Sequence, residues 1–170
     1  MKAIVNVDKN WGIGANNELL NPIPADLKLF KALTINNIVV MGLTTFLSLP
    51  GQKALPQRTN IVLTTDPNWS APDVIVCHSI DEVLQKSIVL PGEVFIAGGA
   101  SIYEQFLPYC EYAYVTKVNT EKPADRFFPN LDKIHGWHPW IKGKKQRYED
   151  TSFRFTVYKN EEVKSYNEQH

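Results

Sequence analysis

The chain has 170 residues, 44% of them hydrophobic, and its 18 basic and 18 acidic side chains cancel to a net charge of zero. That length suits one domain with a core of its own, and the apolar content excludes disorder as the default state. Scattered, balanced charge gives no footprint for nucleic acid or an anionic membrane, and no run approaches the ~20 apolar residues of a membrane span.

In chain order, short apolar and β-branched runs mark expected strands at Ala3 to Val7, Ile38 to Met41, Asn60 to Thr64, Val74 to Cys77, Val94 to Ala97 and Tyr112 to Val118. Several are apolar throughout, as strands covered on both faces are. Helical patterns lie between them, over Ala25 to Leu33, Thr44 to Leu49, Ile80 to Lys86 and Ser101 to Leu107. In the last of these Ile102, Tyr103, Phe106 and Leu107 share one face. Alternating strands and helices predict an α/β fold, a mainly parallel sheet with helices on both sides. Tyr148 to Tyr158 differs, because Phe153, Phe155 and Val157 alternate with polar residues and no helix intervenes. It reads as an antiparallel strand at the sheet edge. No repeat or linker appears, so the reading is one domain over 1–160 and a polar tail, 161–170, expected to fray. Cys77 and Cys110 form no CxxC pair, which argues against a disulfide framework or a zinc site and fits a reducing cytoplasm. The first apolar run is too short for a signal peptide.

Asn17 to Phe30 is the stretch richest in chemistry. A loop turns through Pro22 and Pro24 into a helix, and Pro24 suits the first helical position, where its missing N–H costs nothing. Asp26 then falls in the first turn, a lone carboxylate among Leu27, Phe30 and Leu33. The helix dipole alone accounts for an aspartate there and would lower its pKa; burial would raise it, and the sequence leaves both outcomes open. The residue is a candidate for holding or relaying a proton.

Gly98-Gly99 follows an expected strand and opens a helix, where bare glycines let backbone N–H groups approach a phosphate, although such a pair is more often a tight turn. Met41-Gly42-Leu43-Thr44-Thr45 repeats the arrangement, with Thr44 or Thr45 able to serve simply as a helix cap. Two such corners suit a pyrophosphate, and neither is a full G-x-G-x-x-G. Arg58 is an isolated cation whose functional reading is a bidentate carboxylate clamp. His135 and His138 are separated by glycine and followed by proline, which argues against a metal site. Tyr103, Tyr109, Tyr112 and Tyr114 read as core and rim aromatics.

In this order the residues resemble dihydrofolate reductase. The resemblance rests on six segments: Ile4 to Gly14, Ile23 to Leu27, Val39 to Phe46, Leu55 to Leu63, Phe95 to Tyr103 and Asp125 to Pro129. It implies an eight-stranded mixed sheet and hydride transfer from NADPH to dihydrofolate, in support of one-carbon and thymidylate metabolism, by a cytoplasmic monomer. Asp26 would be the one ionisable side chain facing the pterin, bonded to its 2-amino group and N3, with Thr116 supporting it and Asn21 closing the site. Protonation at N5 and hydride delivery to C6 would follow. Leu27, Phe30, Leu49 and Leu55 would wall the substrate, and Arg58, with Lys53, would clamp its glutamate carboxylate. Ile4, Val5, Leu19, Ala97 and Tyr103 complete the implied substrate set. The implied cofactor set is Asn6, Ile13, Gly14, Asn17, Glu18, Gly42, Leu43, Thr44, Thr45, Leu63, Thr64, Thr65, His78, Gly98, Gly99, Ala100, Ser101, Ile102 and Gln105. Gly12 through Asn21 would form a mobile lid steadied by Asp125, and Gly98-Gly99 would carry the family's cis peptide.

The chain departs from the family pattern in three places. Asn21 stands where many members have tryptophan, and Asn6 where a small residue, usually alanine, is found. Leu43, Thr44 and Thr65 occupy positions where the family usually or often presents basic residues to the adenosine 2′-phosphate, leaving His78 as a weaker partner. Each lost charged bond of this kind is worth about 1.5–3 kcal/mol when well formed. Unusually poor discrimination between NADPH and NADH is therefore expected. Two alternatives to the main reading are a same-fold reductase of another pterin or pyrimidine and a catalytically impaired folate-binding protein.

Overall fold

The computed structural model of the chain describes residues 1–166. In chain order its elements are β1 (Lys2–Val7), β2 (Gly12–Ala15), β3 (Glu18–Leu19), α1 (Pro24–Thr34), β4 (Ile38–Gly42), α2 (Leu43–Leu47), β5 (Thr59–Leu63) and β6 (Val74–Cys77). There follow α3 (Ile80–Val89), β7 (Val94–Ile96), α4 (Ala100–Phe106), β8 (Tyr112–Val118), β9 (Arg126–Phe127), β10 (Trp137–Lys142), β11 (Gln146–Tyr148) and β12 (Thr151–Asn160). The central sheet runs β10-β12-β8-β1-β7-β4-β5-β6, with β11 pairing to β12. From β8 to β6 every pairing is parallel, and β12 joins β8 antiparallel.

The all-apolar strand runs are explained by burial on both faces. Ile38 and Val40 of β4 face one core with Val83, Leu84, Ile102 and Phe106, while Val39 and Met41 face another with Phe46 and Phe30. Helix α3 begins where the Ser79 hydroxyl accepts from the Glu82 N–H at 3.2 Å, and α1 begins with Pro24 in its first turn. The predicted face of α4 is the buried one: Ile102, Tyr103, Phe106 and Leu107 all turn inward. Both cysteines are free and buried.

The antiparallel C-terminal edge is present, but three strands build it. The turn at Glu149-Asp150 splits the expected strand into β11 and β12, and β10 takes the outermost place, so β12 is internal. Strand β10 escapes sequence reading because most of it is exposed and Pro139 interrupts it, with a register shift between Pro139 and Ile141. A separate small sheet, β3-β2-β9, was also invisible, its strands being two to four residues long. Beyond Asn160 the chain stays tied as far as Tyr166: Glu161 N–H donates to the Gly136 carbonyl, Lys164 N–H to that of Pro108, and Tyr166 rests on the main core. The rest of the tail expected to fray, 167–170, lies outside the described residues.

Strand β1 lies between β7 and β8, so the connection through α4 crosses over it. A parallel sheet whose chain order reverses in this way opens a crevice at the carboxyl ends of its strands.

Phe106 is fully buried where α4 meets the sheet. Phe106→Ala is expected to cost about 3–5 kcal/mol. Urea unfolding will show it as a lower midpoint at an unchanged slope, and a parent-like midpoint would contradict this packing.

Candidate active site

A cavity of about 900 Å³ follows the carboxyl ends of β1, β4, β5 and β7. Every residue of the implied cofactor set, from Asn6 to Gln105, lines it, as do Val5, Leu19, Ala97 and Tyr103 of the substrate set. Ile4, Leu27, Phe30, Leu49, Lys53, Leu55 and Arg58 lie outside that lining. Phe30, Leu49, Leu55 and Ala97 nevertheless converge on Val39, Met41 and Phe46, and Leu27 beside them is 55% exposed. Sequence reading missed Ala15, Ser48, Ser79, Ile80, Glu104 and Arg126 as lining residues. Ser79 carried a signal as the cap that seats His78, and Arg126 as the neighbour of Asp125.

Asp26 sits in the first turn of α1 with its carboxyl turned to β1 and β8. Thr116 Oγ1 donates to Oδ1 at 2.5 Å, and Asn6 Nδ2 donates to Oδ2 at 3.2 Å. Burial pushes the Asp26 carboxyl above the usual carboxylate range, against the opposing pull of the Thr116 and Asn6 bonds. Desolvation therefore outweighs the two side-chain bonds. Behind the site the buried Tyr103 hydroxyl donates to the Ile4 carbonyl at 2.7 Å, and burial, then the nearby Asp26 carboxylate, push its phenol upward.

Asn21 is 6% exposed, and its side chain turns toward Thr120 rather than Asp26, with Oδ1 accepting from Thr120 Oγ1 at 3.2 Å. Among the described residues its Nδ2 has no partner. Its backbone carbonyl accepts from Asn6 Nδ2 at 2.9 Å.

The segment over the cavity is fastened at several points. The Asp125 carboxylate accepts from Asn16 N–H at 3.0 Å, and Asp125 N–H donates to the Gly14 carbonyl at 3.0 Å. Asp8, 2% exposed, accepts backbone N–H bonds from Asn10, Gly12 and Lys122. Gly12 and Gly14 are required by close approach: a Cβ would fall 2.9 Å from Ala124 Cβ in one case and from the Glu18 carbonyl in the other.

At the two glycine corners Gly42 N–H donates to the Gly98 carbonyl at 2.8 Å, and the Gly98-Gly99 peptide is cis. Gly98 holds φ +114° with the Tyr103 ring 3.3 Å from where a Cβ would stand, and a Cβ on Gly99 would reach to 3.4 Å of the Thr45 hydroxyl. Neither Thr44 nor Thr45 caps α2, whose first residue is Leu43 and whose cap, Gly42, has no side chain. At the far end His78 Nδ1 lies 2.9 Å from the Thr64 carbonyl, so that nitrogen carries the proton and Nε2 is left for another partner. Among the described residues the lining groups able to carry charge near neutrality are Glu18, Glu104, Arg126 and His78.

At the substrate end Arg58 Nε donates to the Pro56 carbonyl at 2.9 Å and Nη1 reaches Thr34 Oγ1 at 3.4 Å. The buried side chain of Asn60 braces this turn, accepting from Leu55 N–H and donating to the Leu55 and Arg58 carbonyls. His135 and His138 lie elsewhere, on Glu162 and Glu161. Among the described residues no three His, Cys, Asp or Glu side chains cluster as metal ligands, and no helix is long and apolar enough to cross a membrane.

The family model described as dihydrofolate reductase matches residues 1–161. The dihydrofolate reductase of Staphylococcus haemolyticus is 37% identical over 159 residues, covering 91% of this chain and 92% of that one. That of Bacillus subtilis is 37% identical over 130 residues, 76% of each chain. A solved dihydrofolate reductase from Enterococcus faecalis, complexed with NADP(H) and RAB-propyl, superposes with a TM-score of 0.85 at 31% identity, covering 94% of this chain and 95% of its own. By its match along nearly the whole length, the chain belongs to the dihydrofolate reductase family.

Proposed function

We propose that the chain reduces 7,8-dihydrofolate to 5,6,7,8-tetrahydrofolate with NADPH, supplying one-carbon and thymidylate metabolism in the cytoplasm as a monomer without nucleic-acid or membrane partners. The observation that carries this reading is the carboxyl of Asp26, desolvated and bonded only to neutral donors, beside a cavity of about 900 Å³.

The two Asp26 oxygens each accept one protein hydrogen bond and keep lone pairs for a 2-amino group and a ring N–H. A carboxyl displaced upward by burial holds a proton closer to neutrality than an exposed one, which suits it to protonating a bound heterocycle. Phe30, Leu49 and Leu55 supply an apolar wall, with Leu27 at the open side. Arg58 is pre-oriented by Pro56 and Thr34, which leaves guanidinium N–H groups for a carboxylate. Together Arg58 and Asp26 favour a ligand with an aminopyrimidine head and an acidic tail over other pterins or pyrimidines.

The cavity fits a dinucleotide, since the bare Gly98, Gly99 and Gly42 leave the space between the two corners clear. Gly98 to Ile102, Thr44 and Thr45 would hold its phosphates, Leu63 to Thr65 and His78 its adenosine end, and Asn6, Ile13 and Gly14 its nicotinamide. When bound, NADPH supplies the hydride. The Gly12 to Asn21 segment, fastened at Asp125, excludes water from that region. Among the described residues no lysine lines the cavity, and its one arginine, Arg126, is on the strand that pairs with Gly14 rather than with the Leu43 and Thr65 corners.

A spectrophotometric assay with dihydrofolate and each reduced cofactor in turn tests this reading. Oxidation of NADPH is expected, with kcat/KM favouring it over NADH by less than about a thousandfold, or roughly 4 kcal/mol. A larger preference would mean that charges beyond His78 reach the 2′-phosphate. Asp26→Asn is expected to lower turnover at pH 7 by about a hundredfold or more and to recover partly in acid, where solvent protonates the substrate; a pH-independent parent-like rate would remove Asp26 from the mechanism. The same variant should melt higher than the parent at pH 8. A carboxyl raised in the folded chain contributes stability that is complete below its unfolded value of about 4 and lost as pH rises through the folded value. The gap in melting temperature should therefore close below about pH 4; an equally wide gap there would sink the desolvation argument.

A further inference from the structure

Asn6 lies near the carboxyl end of β1 with its side-chain amide wedged between two oxygens. One N–H points at the Asn21 carbonyl, 2.9 Å away, and the other at Asp26 Oδ2, 3.2 Å away. A carbonyl and an ionised carboxylate can only accept, so the amide nitrogen must be the atom that faces them. The remaining surroundings of the carboxyl are neutral. Strand β8 contributes the Thr116 hydroxyl at Oδ1, and α4 contributes Tyr103, the one titratable neighbour, whose hydroxyl is committed to the Ile4 carbonyl. Among the described residues no cation from β1, β8, α1 or α4 acts on the acid.

We propose that Asn6 is a positioning residue for Asp26: its amide directs the acid's proton to Oδ1 and ties the acid to the end of the lid at Asn21. A hydrogen on Oδ2 would meet the Asn6 N–H head on. A hydrogen on Oδ1 meets a hydroxyl that can rotate from donor to acceptor, and Oδ2 then remains a carbonyl oxygen that still accepts from Asn6. The Asn6 N–H bonds a charged carboxylate oxygen more strongly than the carbonyl oxygen of the neutral acid, so Asn6 favours the ionised form, in line with the downward pull it exerts against desolvation. Its second N–H holds the Asn21 carbonyl, so a shift of the lid end at that residue changes the donor that the acid feels.

The inference rests on the reading of Asp26 as the group that manages the proton. Single-turnover hydride transfer with NADPH and dihydrofolate, measured against pH and normalised to each protein's acid plateau, separates the two. Asn6→Ala is expected to move the alkaline limb upward by about half to one pH unit. Two units above the parent's limb, its normalised rate should then exceed the parent's by about three- to tenfold. Asn6→Asp keeps the size of the side chain but sets a carboxylate against Oδ2, and should move the limb further still. A packing role would give the reverse order, with the isosteric variant nearer the parent. A limb that stays in place or moves down in Asn6→Ala overturns the inference, as does an Asn6→Asp limb lying between those of the parent and Asn6→Ala. Asp26→Asn measured alongside marks which reading has failed. If it loses the parent's limb while Asn6→Ala keeps it, only the role of Asn6 falls; if it retains the limb, the role of Asp26 falls with it.

Discussion

A carboxyl group that has given up part of its water without gaining a cation governs the rest of this site. Thr116 and Asn6 return part of the lost solvation, and neither carries charge. An arginine or lysine in their place would make Asp26 a firmly ionised anion, unable to share a proton near neutrality. Three elements must converge to hold the group in this condition. Helix α1 supplies the acid in its first turn, β8 a hydroxyl and β1 an amide, and β1 and β8 are adjacent parallel strands with Asn6 in register with Thr116.

The same sheet explains why the acid lies next to a long cavity, whose lining includes its partner Asn6. Strand β1 lies where the chain's order in the sheet reverses, and the carboxyl ends of β1, β4, β5 and β7 all face that crevice. Its roof is held by a fully buried carboxylate, which behaves differently from the half-buried Asp26. Asp8 is more buried than Asp26, yet it accepts three backbone N–H bonds and serves to shape the turn through Gly12. Two aspartates eighteen positions apart thus do opposite things: one is saturated with donors and structural, the other left short of them and chemically available.

The central strands and helices were legible because burial on both faces forces continuous apolar runs, as in Ile38 to Met41. The acid was legible because Pro24 fixes the helix start and so the position of Asp26. What escaped lacks such a signal. Strand β10 exposes Trp140 and Ile141 and carries a proline, and β2, β3 and β9 pair over too few residues to show a period. Asn60 gave no hint that it braces the Arg58 turn, since a buried polar side chain inside an apolar strand shows its purpose only through its partners. Asn6 and Asn21 were each visible as departures from the family pattern, at positions fifteen apart. That they meet, amide to carbonyl, is a fact of three dimensions alone.

Charge along the cavity also limits how a dinucleotide can be held there. Its lining carries Glu18 and Glu104 against Arg126 and His78, whose Nδ1 is already engaged with the Thr64 carbonyl, so positive charge does not predominate there. On the reading proposed above, phosphates in such a cavity would be bound by dipoles rather than by net charge, through the Thr44 and Thr45 hydroxyls and the backbone at Gly98 to Ile102. Dipoles are short-ranged and directional, so affinity then depends on backbone placement to within a few tenths of an ångström. That dependence accounts for the crowding at these corners, where Gly42 has Ile102 3.1 Å from the place of its absent Cβ and Gly98 has Tyr103 at 3.3 Å. Glycine at both lets the two turns close on each other, and the Gly42 N–H to Gly98 carbonyl bond locks them there. On that reading, tight packing of neutral groups would take the place of a cluster of lysines and arginines.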